Sequence, residues 1–430
     1  MKRVFKSIVV RILTAEASVL IRRMKPKVIA VTGSVGKTST KDAIFAAIKN
    51  NIYARKSEKS FNSEIGVPLT VLGLPNAWNN PLYWLWNIVD GFFTAFFTRD
   101  YPEVLILETG IDRPGDMKRL TRWVQPDIVV LTRLPSVPVH VEYFKTPEAV
   151  VEEKFKLIEA LKPDGVLIYN HDDTAITERL AGVLQRQVGF GRYVPTDFTT
   201  RDDKVVYQDD QPTGVEFLIE RYGNAYKVHL RNTIGMQHAY ACAAAAAVAD
   251  ELCIPIEAAI EALQTLETPP GRMRIIPGIK GTVLIDDTYN SSPIACESAL
   301  QALRELSYTT RKIAVLGDML ELGKFSTDEH RRVGAQAAAA AEVLFTIGIR
   351  ARSIAEGALA AGMSEKHVFQ YDDVNRAGRE LQSLLHTGDV VLVKASQAVR
   401  AERVVEEVMA EPDKAPALLV RQDVTWKGIA

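Results

Sequence analysis

The stretch VTGSVGKTST, residues 31–40, decides how the chain is read. It closes an apolar run, KVIAVTG, and opens on Gly-Lys-Thr. Gly33 and Gly36 let the backbone turn tightly, so several N–H groups of residues 32–39 can face one anion. A helix starting near Lys37 adds its positive N-terminal end. Lys37 supplies a mobile full charge, and the Thr38 hydroxyl suits Mg²⁺. The common phosphate-loop pattern G-x-x-x-x-G-K-[ST] places a glycine where Val31 stands. The strand-then-helix context still separates this loop from an ordinary turn.

On either side of the loop, short apolar runs alternate with helical patterns. VLILETG (104–110), DIVVLTR (127–133) and GVLIYN (165–170) read as buried strands, with PEAVVEEKFKLIEALK (147–162) as a helix between the last two. Such alternation implies a mainly parallel α/β sheet covered on both faces. Residues 186–232 read as an antiparallel meander, and an alanine-rich helix, AYACAAAAAVADEL, follows. Pro269-Pro270 marks a boundary. Beyond it TVLIDDTYN, KIAVLGDM, AEVLFTIG and DVVLVKAS read as a second, smaller, Rossmann-like doubly wound series. The expected division is an N-terminal basic, amphipathic arm (1–26), a central ATP-binding domain (27–267) and a C-terminal domain (268–430).

The 430 residues carry a formal net charge of −1 and are 47% hydrophobic, which gives no global case for a nucleic-acid partner and enough apolar material for real cores. Cys242, Cys253 and Cys296 have no metal-ligand or paired spacing and suggest structural thiols in a reducing compartment. PLYWLWNIVDGFFTAFF (81–97) is short for a spanning helix and contains Asp90. Two readings stand: a helix packed on the protein or another subunit, or an interfacial helix with Trp84, Trp86, Phe92 and Phe93 at a lipid boundary.

Glu108 ends the strand VLILE, at the carboxyl edge where open α/β sheets bind ligands. It reads either as an Mg²⁺ ligand or as a cap for the next turn. Lys154 falls on the apolar stripe of its helix with Val150, Val151, Ile158 and Leu161, whereas Glu152, Glu153 and Lys156 fall mostly off it. An unpaired ammonium there is costly. Either the side chain snorkels or pairs with an acid, or CO₂ has converted it to a carbamate, an anion able to hold Mg²⁺.

TGSVGKTS, KSFNSEIGVPLTVLGLP, LETGIDRPGDM, PPGRMRIIPGIKGTVLIDDTYNSSP, KIAVLGDMLELG and DVVLVKASQAVRAERVVE together resemble the Mur ligases. These are the ATP-dependent amide-forming enzymes of peptidoglycan synthesis, and the likeness is greatest to their D-alanyl-D-alanine-adding branch. It extends from about residue 28 to about 410 and requires no glycine at Val31. The resemblance implies a cytoplasmic ligase, or one peripheral at the inner membrane face, that acts on small peptide precursors of the cell wall. It implies that Gly33, Ser34, Val35, Gly36, Lys37 and Ser39 hold the ATP phosphates. Thr38 and Glu108 would bind one Mg²⁺, and His140 with N6-carboxylated Lys154 a second. Arg272 would reach the γ-phosphate, Asp287 the ribose and His238 the adenine. Asn62, Tyr289 and Asn290 would lie near substrate.

Departures from the family pattern are confined. His238 stands where an asparagine is usual, Gln397 where an arginine is usual, and RLPSVPVH before His140 lacks the usual asparagine. Residues 1–26 are too few for the usual UDP-binding front domain. They and the aromatic segment 78–101 are expected to meet a partner, another subunit or a membrane instead. Two further readings are a ligase using another amine donor or a lipid-linked acceptor, and a non-catalytic nucleotide-binding scaffold.

Overall fold

The computed structural model describes residues 3–58, 62, 64–78, 80–307 and 311–427. Lys59–Phe61 and Ser63 of the motif KSFNSEIGVPLTVLGLP, Met1 and Lys2 of the basic arm, and Asn79 of the aromatic segment lie outside them.

Nine strands make the larger sheet, in the order β2-β3-β1-β4-β5-β6-β7-β8-β9. They are β1 (Lys27–Thr32), β2 (Ala54–Lys56), β3 (Val104–Glu108), β4 (Ile128–Leu131), β5 (Val166–Asn170), β6 (Arg186–Gly191), β7 (Phe198–Gln208), β8 (Gln211–Arg221) and β9 (Asn224–Arg231). β1 sits between β3 and β4, parallel to both, and its last residues are completely buried. The central strands therefore read as continuous apolar runs, as sheets covered on both faces require. The meander starts later than expected: β6 pairs parallel with β5 and β7, and only β7, β8 and β9 are antiparallel.

Six strands make the second sheet, in the order β10-β11-β15-β12-β13-β14. They are β10 (Arg274–Pro277), β11 (Val283–Asp287), β12 (Lys312–Gly317), β13 (Val343–Ile347), β14 (Val368–Tyr371) and β15 (Val390–Lys394). All pairs are parallel except β10 with β11. β2, β10 and β14, three or four residues each, went unread in the sequence. One apolar cluster runs through both sheets, joining Ile29 and Val130 to Ile285, Leu316 and Leu392.

The front of the chain is a packed element, not a free arm. Helix α1 (Arg3–Met24) buries Val9, Leu13, Ala17 and Leu20 against the sheet flank. Helix α2 (Lys37–Ile48) follows the loop after β1 and packs on the alanine-rich helix Gln237–Glu251. Alanines at that contact let the two backbones approach closely, and the helix is buried along almost its entire length. Helix α3 (Gly66–Leu72) and helix α4 (Pro81–Phe97) complete the flank with α1. Asn80 caps α4, its side chain accepting from the N–H groups of Leu82 and Tyr83. Among the described residues no helix is long and apolar enough to cross a membrane.

Candidate active site

The loop between β1 and α2 holds two positive-φ glycines, Gly33 at φ 141° and Gly36 at φ 88°. A Cβ on Gly33 would overlap the Thr132 hydroxyl at the end of β4. That hydroxyl donates to the Val35 carbonyl at 2.7 Å, tying the loop to the neighbouring strand. Ser34 N–H donates to the Arg133 carbonyl at 2.7 Å. Lys37 lies back along the loop, its Nζ 2.9 Å from the Gly33 carbonyl and 3.4 Å from that of Ser34. Burial lowers its pKa, opposed by the charge of Glu108.

Lys154 arrives from the helix Pro147–Glu159, whose N-cap is Thr146. Its side chain is buried, with 2% exposure, and its Nζ donates to the Gly33 carbonyl at 3.1 Å. Burial pushes its pKa well below the ordinary lysine value, and the positive charge of Lys37 adds to the push. Among the described residues it makes no ion pair. Glu153 is a correction to the periodicity reading: it is buried too, accepting from the Met117 N–H at 3.0 Å and pairing with Lys156 at 2.5 Å.

Glu108, at the end of β3, is 1% exposed. One carboxylate oxygen accepts from Asn62 Nδ2 at 3.2 Å, while the other lies 3.8 Å from Lys41 Nζ and has no hydrogen bond among the described residues. Asn62 therefore stands beside Glu108, as the Gly110 N–H donating to its carbonyl also requires. His140 has φ 69° and opens a short 3₁₀ turn. Its Nδ1 lies 2.7 Å from Glu321 Oε2, and its Nε2 is 3.8 Å from Asp112 Oδ1. Among the described residues no three His, Cys, Asp or Glu side chains converge as a metal site.

The second sheet reaches the same place through Arg272. Its guanidinium donates to the Thr38 hydroxyl at 3.3 Å and lies over the Tyr289 ring at 4.0 Å. Behind it, Asp286 accepts from the Gly271 N–H and from Thr288, which fixes the turn that aims Arg272. Burial pushes the Asp286 carboxyl up to about 6. Asp287, at the end of β11, pairs with Lys394 at 2.6 Å, and Lys394 also donates to the Asn290 carbonyl at 2.9 Å. The Asn290 side chain accepts from Ser291 N–H.

His238 is placed differently from the others. It is buried at the start of the alanine-rich helix, with Nε2 2.8 Å from the Thr233 hydroxyl, which donates to the Met273 carbonyl. Burial lowers its pKa to about 4, so the ring is neutral. The structure thus gives His238 a bracing contact beneath the turn that carries Arg272.

Lys37, Thr38, Ser39, Glu108, Lys154 and Arg272 are gathered around one loop. Asp112, Glu321, Lys41 and Lys394 were missed by sequence reasoning. Asp112 lies within the quoted motif LETGIDRPGDM, and its charge is felt by both Lys37 and Lys154. Glu321 lies in KIAVLGDMLELG, but only the folded chain brings it to His140.

Residues 90–249 match the Mur ligase middle domain, and residues 271–397 match the Mur ligase, glutamate ligase domain. The chain is 30% identical to the UDP-N-acetylmuramoyl-tripeptide–D-alanyl-D-alanine ligase of Bacillus subtilis, over 92% of this chain and 79% of that one. Against the enzyme of the same name from Mycobacterium leprae it is 29% identical, over 86% and 71%. The crystal structure of MurF ligase from Thermotoga maritima in complex with ADP superposes with a TM-score of 0.77 at 27% identity, over 94% of this chain and 84% of that one.

Proposed function

The chain belongs to the Mur ligase family, and from that membership we propose that it joins D-alanyl-D-alanine to the peptide carboxylate of a cell-wall precursor. It is an ATP-dependent, ADP-forming ligase. The observation that carries the reading is the meeting of Arg272, from the second sheet, with Thr38 in the phosphate loop of the first. A guanidinium delivered to a phosphate loop from another layer stabilises charge on a transferring phosphoryl group and ties that transfer to the joining of the two layers.

In the proposed reaction the acceptor carboxylate attacks the γ-phosphorus of ATP. An O–P bond forms, the bond to the β-phosphate oxygen breaks and ADP leaves. The dipeptide amine then attacks the acyl carbon, a C–N bond forms, phosphate departs with the C–O electron pair and the amine loses a proton. Lys37 and the loop amides of residues 33–39 other than the Ser34 N–H, which donates to the Arg133 carbonyl, hold the phosphates, and Arg272 offsets charge on the moving group. Asp287 holds the ribose while Lys394 fixes its carboxylate, with Tyr289 and Asn290 alongside. Asn62 orients Glu108 and faces the substrate cleft.

The residues fit a magnesium requirement. Thr38 and Glu108 would hold one ion, and His140 with carboxylated Lys154 a second; the ions supply charge neutralisation for the phosphoryl group. Among the described residues, Glu108 keeps a buried carboxylate oxygen without a hydrogen bond. For Lys154 the depressed pKa matters. Burial favours the free amine, the form that adds to CO₂, forming an N–C bond and releasing a proton. The carbamate would place an anion beside Lys37 where the free amine is neutral.

A phosphate-release assay with ATP, Mg²⁺, D-alanyl-D-alanine and UDP- or lipid-linked peptides tests the reading. Lys37→Ala should abolish release, and Lys154→Ala should do so with partial rescue by a small carboxylic acid. Release that no dipeptide stimulates would overturn the proposed donor.

A further inference from the structure

Helix α4 wears its apolar residues on the outside. Its buried residues are Trp84, Asn87, Gly91 and Ala95, a narrow stripe at helical spacing that includes one amide and two small residues. Asn87 is held there by its Nδ2 donating to the Pro75 carbonyl at 2.8 Å. The wide remaining face carries Leu82 (78% exposed), Leu85, Trp86 (67%), Val89, Phe92, Phe93, Phe96 and Phe97 (64%), with Asp90 alone as an acid. The four phenylalanines touch one another across the surface, with ring centroids of Phe92 and Phe96 4.8 Å apart. A surface helix normally has the opposite arrangement. An apolar patch of this kind on a folded chain marks an interaction site.

The charges beside it identify the occupant. Helix α1 runs alongside α4: its Glu16 meets Gly91, and Arg23 donates to the carbonyls of Phe96 and Thr98 at 2.9 and 2.7 Å. Arg23 therefore stands at the end of the helix that carries Phe96 and Phe97; Arg99 and Asp100 follow that end in the chain, and exposed Arg22 and Lys25 flank Arg23 in sequence. Arg11 is exposed further back on α1, where Lys6 pairs with Glu64 at 3.1 Å. Helix α4 itself has no lysine or arginine. An aromatic and aliphatic face flanked by cations matches the boundary between acyl chains and anionic headgroups, where Trp, Phe and Leu sit at the interface and Lys and Arg meet phosphate. We propose that the α1–α4 flank docks the enzyme on an anionic lipid surface, with α4 lying in the plane of the interface and not crossing it.

The inference stands apart from the choice of amine donor. The test is flotation of the full chain with vesicles of phosphatidylglycerol and phosphatidylcholine, and with phosphatidylcholine alone, alongside phosphate release and a thermal melt on the same samples. The chain should float with the anionic vesicles and bind the neutral ones about tenfold less. Binding should weaken with salt. Trp86→Ser with Phe93→Ser should abolish flotation, and Arg22→Gln with Lys25→Gln and Arg99→Gln should reduce it about tenfold, both with melting and phosphate release unchanged. Absence of flotation by the parent chain, or flotation that survives the serine pair, would overturn the proposal. So would a stable dimer in sedimentation that the serine pair splits, because a second copy would then cover the face.

Discussion

Arg272 is held in its aimed position by the Tyr289 ring and by the Asp286-anchored turn before it. A lysine cannot reproduce a planar guanidinium that stacks and donates at once. Arg272→Lys is expected to lower kcat for phosphate release about 100-fold while changing KM for ATP about threefold or less. Steady-state kinetics separate the two. Gly33 is constrained from the opposite direction, by space. Alanine there combines a positive φ with overlap on Thr132, so Gly33→Ala should destabilise the fold by about 1–3 kcal/mol and weaken nucleotide binding, read by a thermal melt with and without ATP.

Between elements, the α1–α4 seam carries a titration. Glu16 is buried against Gly91 with one carboxylate oxygen unbonded among the described residues, and burial pushes its pKa up to about 7. The folded state therefore holds this proton more tightly than the unfolded chain. Its contribution is complete below the ordinary carboxylate pKa and is lost as pH rises through about 7. Glu16→Gln should be more stable than the parent by about 1–3 kcal/mol at pH 8, with the gap closing by about pH 4, in denaturant titrations. A second seam joins the helices Ser326–Ala340 and Arg352–Ala360. A Cβ on Gly334 would overlap the Ile354 carbonyl, and one on Gly357 the Arg331 carbonyl. Gly334→Ala should cost about 1–3 kcal/mol by the same measurement, because backbone cannot move aside as a side chain can.

What could be read in advance follows from these scales. The long apolar strands and the phosphate loop announce themselves because hydrophobic runs and glycine spacing are local properties. β10 and β14 are four-residue edge strands, too short to show a period, and β6 looks like a meander strand until its parallel partners are known. Lys154 was legible because an ammonium on an apolar stripe is anomalous by itself. Glu153 was not, since its burial comes from the Met117 N–H and Lys156, neither of which the stripe reveals. Asp112 and Glu321 lie on loops whose meeting depends on how the two sheets are set together. His238 could be flagged only as a departure, and its buried bond to Thr233 required coordinates.

Across the whole molecule, side-chain contacts bridge the sheets near the reaction centre. Arg272 meets Thr38, and Glu321 meets His140, with the Glu142 N–H donating to the Glu321 carbonyl at 3.3 Å. Removing the Glu321 carboxylate should loosen the second contact and leave the nucleotide loop untouched. Glu321→Ala is expected to enlarge the radius of gyration in X-ray scattering and to lower kcat about tenfold, with ATP affinity nearly unchanged. An unchanged radius would show that this pair does not hold the sheets together.

Pro269 and Pro270 stand just ahead of Arg272 in the chain, in the segment that joins the two sheets. A stiff link there acts as a fulcrum, and distance from a fulcrum sets how far a point travels. Arg272, two residues beyond it, would have almost no lever arm were the second sheet to turn about this link. Such a turn would keep the arginine near the phosphate loop while the rest of the second sheet moved further.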